Sequence, residues 1–318
     1  MTINIKFIDD IEHNYKSFNE IIKLDNYNEI IYIECRYNNL YSLPKLPNLL
    51  TILNCSCNNL SSLPELPNSL EILYCNENNL YSLPELPNSL EILYCYENNL
   101  SGLTELPNSL EILYCYNSRL SSLPELPNSI HELWCGNNNL SNLHELPNSL
   151  IVLNCTNNNL SSLPELPNSL TELYCTGNKI SSLPKLPNLL KTLYCGNNNL
   201  YGFPELPNSL TELNCQCNKL SNLPELPNSL NILQCGNNNL SSIPELPEFI
   251  YFRYYYNPIH DHINKYFDGS TKQYFKYQNF IKRIFSNKIG IWFLDCKYNP
   301  KYLYCRTRLM KEYDELYN

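Results

Sequence analysis

Residues 70–89 read LEILYCNENNLYSLPELPNS, and this 20-residue unit returns with small changes along most of the chain. Its most regular feature is a cysteine that recurs every 20 residues, eleven times from Cys35 to Cys235. Repetition at a fixed short period indicates a solenoid, in which each unit buries its apolar side chains only against its neighbours. The repeat therefore predicts an array of stacked turns over residues 30–250.

Each unit contains the pattern of one short strand and one extended return path. Leu73 and Cys75 alternate with polar or aromatic residues, and this period of two places them together on one face of a strand. Leu80 and the leucines of the LPELP motif at 83–87 would point inward from the return path. The two prolines of that motif disfavour a helix, so we expect an extended or polyproline-II-like return path.

An asparagine follows the predicted strand in almost every unit. At that point the backbone leaves the sheet and loses its ladder partners, and a buried amide offers both donors and an acceptor. We expect this side chain to bond backbone groups in its own turn and in the next. Ser118 interrupts the column. The column consists of Asn38, Asn58, Asn78, Asn98, Asn138, Asn158, Asn178, Asn198, Asn218 and Asn238.

The skeleton L-x-x-L-x-C-x-x-N-x-L, followed by L-P-x-L-P, resembles the leucine-rich repeat. Its length is similar to that of the repeats in secreted bacterial effectors of the Yersinia and Shigella type. The cysteine, the Asn-rich turns and the LPNSL connectors resemble leucine-rich-repeat proteins of giant amoeba viruses such as mimivirus. Over residues 30–250 the resemblance implies a curved horseshoe with a parallel concave sheet. Together with the extended convex side that the prolines predict and small helical caps at the two flanks, the predicted fold class is an α/β leucine-rich-repeat solenoid. It also implies binding of a protein partner.

Both flanks are predicted to be caps of the array. In the N-terminal cap, residues 1–29, apolar residues at helical spacing over 7–24 predict an amphipathic helix that precedes a first strand at Glu29–Cys35. In the C-terminal cap, residues 251–318, the repeat fades into a degenerate closing strand. Apolar residues at helical spacing after that strand predict three or four helices.

Charge and hydropathy favour a protein partner over nucleic acid or a membrane. Residues 1–257 carry 11 Lys and Arg against 25 Asp and Glu, whereas phosphate binding needs a basic face. No run of about 18 apolar residues is present, so we expect no membrane span. The first residues lack the apolar segment of a signal peptide. We therefore expect a cytoplasmic, intracellular protein, with the interior of a host cell as one alternative.

The cysteine ladder is interpreted as core packing. Equivalent positions of neighbouring strands lie about 4.8 Å apart and point to the same side. A free cysteine in such a place behaves as a small apolar side chain, and a uniform ladder does not offer the paired geometry of disulfides. Free thiols are typical of a reducing compartment.

Two other groups of side chains have the chemistry of metal ligands. His260, His262, Cys296 and Cys305 are zinc-ligand types, but their spacing matches no zinc motif that we can identify. A column of glutamates on the return path offers paired carboxylates for a cation, although a solvated edge is the simpler interpretation. We expect neither a metal nor a cofactor. The glutamates are Glu65, Glu85, Glu105, Glu125, Glu145, Glu165, Glu205, Glu225 and Glu245.

A stripe of aromatic residues on the concave face is the candidate binding site. Tyrosine and tryptophan are frequent anchors of interfaces, although side-by-side aromatics also stabilise strands. Glu77 and Glu97 border the stripe, so the partner surface should be apolar with a basic rim. Beside the stripe, Gly136, Gly196 and Gly236 should leave open space. The stripe comprises Tyr74, Tyr94, Tyr96, Tyr114, Tyr116, Trp134, Tyr174 and Tyr194.

Three functions fit these features. The first is a non-catalytic protein-binding scaffold that uses its concave face, with host proteins as candidate partners. The second is a ubiquitin-ligase-like enzyme that uses Cys296 or Cys305, because some of the bacterial effectors carry such a domain after their repeats. However, residues 251–318 are too few for that domain and contain no Cys-x-Asp motif. The third is a structural repeat protein without a specific ligand. We expect the first and no enzyme, since the histidines are few and dispersed.

Overall fold

The computed structural model describes residues 2–9, 11–247 and 250–279, and its residues up to Asn257 form one compact unit built around a single sheet. Strands β3 to β14 are parallel and neighbour one another in chain order, while β1 and β2 extend the sheet in antiparallel fashion. The strands are β1 (Ile3–Phe7), β2 (Glu12–Tyr15), β3 (Ile30–Glu34), β4 (Ile52–Asn54), β5 (Ile72–Tyr74), β6 (Ile92–Tyr94), β7 (Ile112–Tyr114), β8 (Glu132–Trp134), β9 (Val152–Asn154), β10 (Glu172–Tyr174), β11 (Thr192–Tyr194), β12 (Glu212–Asn214), β13 (Ile232–Gln234) and β14 (Tyr251–Arg253).

Equivalent residues of successive turns pair in register. Leu73 of β5 lies between Leu53 of β4 and Leu93 of β6, and these leucines are fully buried. The cysteine after each leucine, such as Cys75, is equally buried. Each turn therefore buries its apolar side chains against the turns before and after it, as the repeat predicts.

The return path is extended, as the prolines predict. Between β4 and β13 the backbone contains no helix. Each unit bends after its strand, continues in extended segments, and makes a tight turn at the two residues after the second proline, which are Asn-Ser in most units. Leu80 is fully buried, and Leu83 and Leu86 are nearly so. The leucines of the return path thus form the second wall of the core.

The asparagine column joins each turn to the one before it. Nδ2 of Asn78 donates to the carbonyl oxygens of Cys75, at 3.2 Å, and of Cys55 in the preceding turn, at 3.0 Å. Its Oδ1 accepts from the backbone N–H of Leu60, at 3.0 Å. The predicted role is confirmed, but the predicted partner in the next turn is wrong, because the amide reaches backward.

Serine hydroxyls form a second ladder, which the repeat pattern alone did not predict. Ser89 in the LPNSL connector donates to the carbonyl oxygen of Leu70 in the preceding turn, at 2.6 Å, and equivalent serines repeat the bond. Leu49 and Leu189 replace the serine in two turns and are largely exposed there. The LPNSL motif is thus a hydrogen-bonding element as well as a connector.

The N-terminal segment forms a hairpin, so the predicted amphipathic helix over 7–24 is wrong. β1 pairs with β2 on one side and with β3 on the other, and α1 (Phe18–Ile21) is a helix of only four residues. Ile3 and Ile5 are fully buried, so the apolar residues of this segment follow the period of two of a strand and not the spacing of a helix. A helix would have left the backbone edge of β3 unpaired, and β1 covers that edge.

The described part of the second unit, from Pro258 onward, is helical. Helix α2 (Pro258–Phe267) buries Ile259 and Ile263, and residues 271–279 are helical as well. The helices predicted further along the chain, with Cys296 and Cys305, lie outside the described residues. None of the described helices has the length and apolar character needed to cross a membrane.

Candidate binding face

The outer face of the sheet carries the predicted site. In each strand from β4 to β13 the central leucine is buried, while the first and third residues are half-buried on the opposite face. We call this surface the sheet face. Because the strands pair in register, first residues line up with first residues, and third residues with third residues.

Six aromatic rings at third-residue positions form one continuous row. Neighbouring centroids lie 4.3 to 6.2 Å apart, and the longest step joins Trp134 to Tyr174 past Asn154, which carries no ring. Tyr94 and Tyr114 stack with parallel rings at 4.3 Å. We call this set the aromatic row. It consists of Tyr74, Tyr94, Tyr114, Trp134, Tyr174 and Tyr194.

Tyr96 and Tyr116 form a shorter column beside the row. Their rings stack at 4.3 Å, and Tyr96 lies 6.3 Å from Tyr94 with the two ring planes inclined at 48°. The structure therefore brings all eight predicted residues together. Their side chains are half-buried rather than fully exposed, because each ring covers part of its neighbours.

Carboxylates hold several of these rings in place, and sequence reasoning missed them. Glu132 accepts hydrogen bonds from the Tyr114 hydroxyl and, at 2.9 Å, from Nε1 of Trp134. Tyr174 donates to Glu172 at 2.7 Å, and Tyr194 donates to Glu212 at 2.7 Å. The available signal was the first-residue position, where isoleucine gives way to glutamate in β8, β10 and β12. We call Glu132, Glu172 and Glu212 the carboxylate row.

The environment keeps the tyrosine hydroxyls protonated. Burial, and then the hydrogen bond to Glu132, raises the pKa of Tyr114. Burial and the hydrogen bond to Glu172 do the same for the pKa of Tyr174. These hydroxyls therefore remain donors to their carboxylates at any physiological pH.

The open space predicted at the three glycines is wrong, and at Gly236 an added Cβ atom would lie 3.1 Å from the Tyr255 carbonyl oxygen. A Cβ atom added to Gly136 would lie 3.1 Å from the Thr156 carbonyl oxygen and 3.2 Å from Oδ1 of Asn154. At Gly196, Oδ1 of Asn214 lies at a similar 3.3 Å. At Gly136 and Gly196 the asparagine side chain of the next turn occupies the space beside the glycine. The absence of a side chain at these two positions therefore permits close packing of neighbouring turns.

The other candidate groups are separate from the sheet face. The return-path glutamates are exposed, and within residues 2–9, 11–247 and 250–279 no three His, Cys, Asp or Glu side chains converge as a metal site. The thirteen cysteines of that part are free thiols. Burial raises the pKa of the ladder thiols, that of Cys35 to about 12, which makes them poor nucleophiles.

Stacked turns with an in-register parallel sheet, buried leucines and an asparagine ladder define a leucine-rich-repeat solenoid, and the chain is a leucine-rich-repeat protein by fold. It is similar to YopM from Yersinia enterocolitica, with 32% identity and a TM-score of 0.57 over 69% of this chain and 58% of that chain. The resemblance to bacterial effector repeats is confirmed, and that to giant-virus repeats stays a prediction.

Two further solved structures share the fold at lower identity. One is the functional domain of InlJ from Listeria monocytogenes, which includes a cysteine ladder; it is 23% identical, with a TM-score of 0.57 over 73% of this chain and 54% of that one. The other is the leucine-rich-repeat part of FLRT2, in an octameric complex with latrophilin 3 and Unc5D; it is 24% identical, with a TM-score of 0.58 over 67% and 76% of the two chains. The chain thus spans less than two thirds of YopM and of the InlJ domain.

No protein-family model matches the sequence, and no curated protein matches it either.

Proposed function

We propose that the chain is a non-catalytic scaffold whose sheet face binds a protein partner, with Tyr94, Tyr114 and Trp134 at the centre. The continuous aromatic row carries the proposal. Tyrosine and tryptophan side chains are large and have few rotatable bonds, so they supply contact area at a low cost in conformational entropy. Such residues dominate the binding energy of many interfaces. The rings are only half-buried, so part of each ring surface remains accessible to a partner.

The shared fold supports a protein as the partner. The FLRT2 repeats, which have the same solenoid fold, occur in an assembly with two other proteins. The acidic character of residues 1–257 further favours a partner with basic groups around an apolar patch. Free, buried cysteines fit a cytoplasmic location, which we propose for this chain, including the cytoplasm of a host cell.

Ligands selected from a displayed random-peptide library test the proposal. We expect Tyr114→Ala and Trp134→Ala to weaken a selected ligand by about 2 kcal/mol, or roughly 30-fold, as interface anchors do. Each should lower the stability of the fold by only about 0.2–1 kcal/mol per lost cross-strand pair. Tyr81→Ala is the matched control, because Tyr81 is 64% exposed and lies on the return path.

The opposite pattern would refute a binding role for the row. A large loss of stability with unchanged affinity would make the rings structural and place the binding surface elsewhere. Equal effects of Tyr81→Ala and Tyr114→Ala on affinity would indicate nonspecific adhesion to tyrosine. Failure to select any ligand that these variants weaken would favour a structural repeat protein without a specific partner.

A further inference from the structure

The sheet face changes character halfway along the array. In β4 to β7 the first residue of each strand is isoleucine, as in Ile72 and Ile92. In β8, β10 and β12 it is a glutamate of the carboxylate row, while β9 and β11 carry the short Val152 and Thr192 between them. Half of the face is therefore apolar, and the other half presents three carboxylates beside aromatic rings.

The three carboxylates have a regular spacing. Adjacent parallel strands lie about 4.8 Å apart, so carboxylates in alternate turns repeat every ~9.6 Å. Each is held at one oxygen by a tyrosine or tryptophan donor. The second oxygen of each accepts no hydrogen bond from the part of the chain that the structure describes. The row thus offers fixed acceptors at a constant interval.

We propose that the face of β8–β12 docks an α-helix of the partner that carries arginine or lysine at every seventh residue. Seven residues of an α-helix rise about 10.5 Å, and a flexible cationic side chain absorbs the difference of about 1 Å per step. Each cation then meets one carboxylate of the row. The inference rests on the proposed function and names the chemistry of the partner.

The same helix face also fits the aromatic row. Trp134 and Tyr174 lie two residues along their strands from Glu132 and Glu172, about 6.6 Å away. Apolar residues three or four positions from each cation lie about 5–6 Å further along the helix and to one side of the line of cations, so those on the side of the aromatic row would pack against its rings. An extended strand presents same-face residues every ~6.7 Å, which does not match the carboxylate interval.

Helical peptides measured against the full chain by fluorescence anisotropy test the spacing. One probe has arginine at every seventh position with leucines three and four positions on, and a second has the same composition with arginine at every fourth position. We expect the first to bind more tightly. A proline-rich probe with arginine at every third residue repeats at ~9.3 Å without being helical. Tighter binding of that probe, or equal binding of all three, would overturn the proposal.

Charge-neutral variants test the row itself. Glu172→Gln should weaken the heptad peptide about fivefold, and the triple Gln variant of the row about a hundredfold. Glutamine keeps an acceptor oxygen for the tyrosine, so the melting temperature should hold. The matched control is Glu165→Gln, the same change at an exposed return-path position. An equal loss from Glu165→Gln would reveal diffuse charge attraction and refute the docking geometry.

Failure of this inference can be told apart from failure of the proposed function. If library-selected ligands lose affinity in Trp134→Ala but no heptad peptide binds, the sheet face binds proteins and only the helical, cationic partner is wrong. If the selected ligands also ignore Trp134→Ala, then both proposals are wrong.

Discussion

A single asparagine side chain connects almost every turn to its predecessor. In the turn of β5, Asn78 satisfies the N–H of Leu60 and carbonyl oxygens of two turns at the point where the ladder of strand bonds ends. A buried backbone group without a partner costs about 1–3 kcal/mol, so the column repeats a contribution of that size in almost every turn. This column therefore adds to the strand pairing and the serine ladder that also join neighbouring turns.

Ser118 leaves one rung of that ladder incomplete. Its hydroxyl is buried without a partner, and within the described residues nothing accepts from the N–H of Leu100, whose counterparts bond asparagine. We expect Ser118→Asn to stabilise the chain by about 1–2 kcal/mol, measured by urea unfolding. Ser122→Asn, at an exposed position, is the control. Equal stabilities of the two variants would show that the backbone N–H of Leu100 already has a hydrogen-bond acceptor when residue 118 is serine.

At the scale of elements, the sequence predicts those features that recur every 20 residues. The strand leucines and the asparagine column stand at fixed intervals, so their places follow from one unit. Glu132 could not be assigned in the same way, because its role depends on the rings of Tyr114 and Trp134, which come from two different turns. Asn257 was not predicted as a member of the asparagine column, because the last unit is shorter than 20 residues. It nevertheless completes the column, since its Oδ1 accepts from the N–H of Leu240 and its Nδ2 donates to the carbonyl oxygen of Cys235.

The N-terminal hairpin shows how a competing period misleads. Helical spacing over 7–24 gathers Ile8 and Ile11, yet these are 63% and 55% exposed. The shorter alternation of Ile3, Ile5 and Phe7 prevails because β1 pairs with β3 and closes that edge of the array. Pairing with a neighbouring strand is a tertiary effect, and local spacing does not include it.

A pair of charge substitutions distinguishes the hairpin from the helix. Ile5→Asp should cost more than about 3 kcal/mol, because Ile5 is fully buried and a carboxylate there would lose its hydration. Ile8→Asp should change stability by less than about 0.5 kcal/mol, since Ile8 lies in an exposed turn. An amphipathic helix predicts severe damage from Ile8→Asp instead. Thermal unfolding of the two variants decides the matter.

At the scale of the whole molecule, the array is held by many equivalent interfaces, each between neighbouring turns. Such an array also needs closed ends, because the last turn has no neighbour to cover its leucines. At the N-terminus β1 and β2 extend the sheet beyond β3. For the other end, sealing by residues 251–318 stays a prediction.

The cysteine ladder couples the whole array to pH. The eleven in-phase cysteines from Cys35 to Cys235 are fully buried, and burial raises the pKa of their thiols, those of Cys95 and Cys155 to about 12. In the unfolded chain the same thiols would ionise near their ordinary pKa of about 8.5. Since the folded pKa lies above the unfolded one, the stability is fully present below about pH 8.5 and is lost as pH rises from there towards 12.

We therefore expect abrupt alkaline unfolding. Each thiol that ionises only in the unfolded chain removes up to ~1.4 kcal/mol per pH unit, so a ladder of such thiols removes on the order of 10 kcal/mol within one unit. Urea unfolding under reducing, oxygen-free conditions should give constant stability from about pH 6 to 8 and unfolding by about pH 10. Cys155→Ala should lower the free energy of unfolding at neutral pH. It should also make the fall of that free energy with pH less steep, by the contribution of one thiol, up to ~1.4 kcal/mol per pH unit. Constant stability up to pH 10 would mean that the thiols reach water or ionise within the fold.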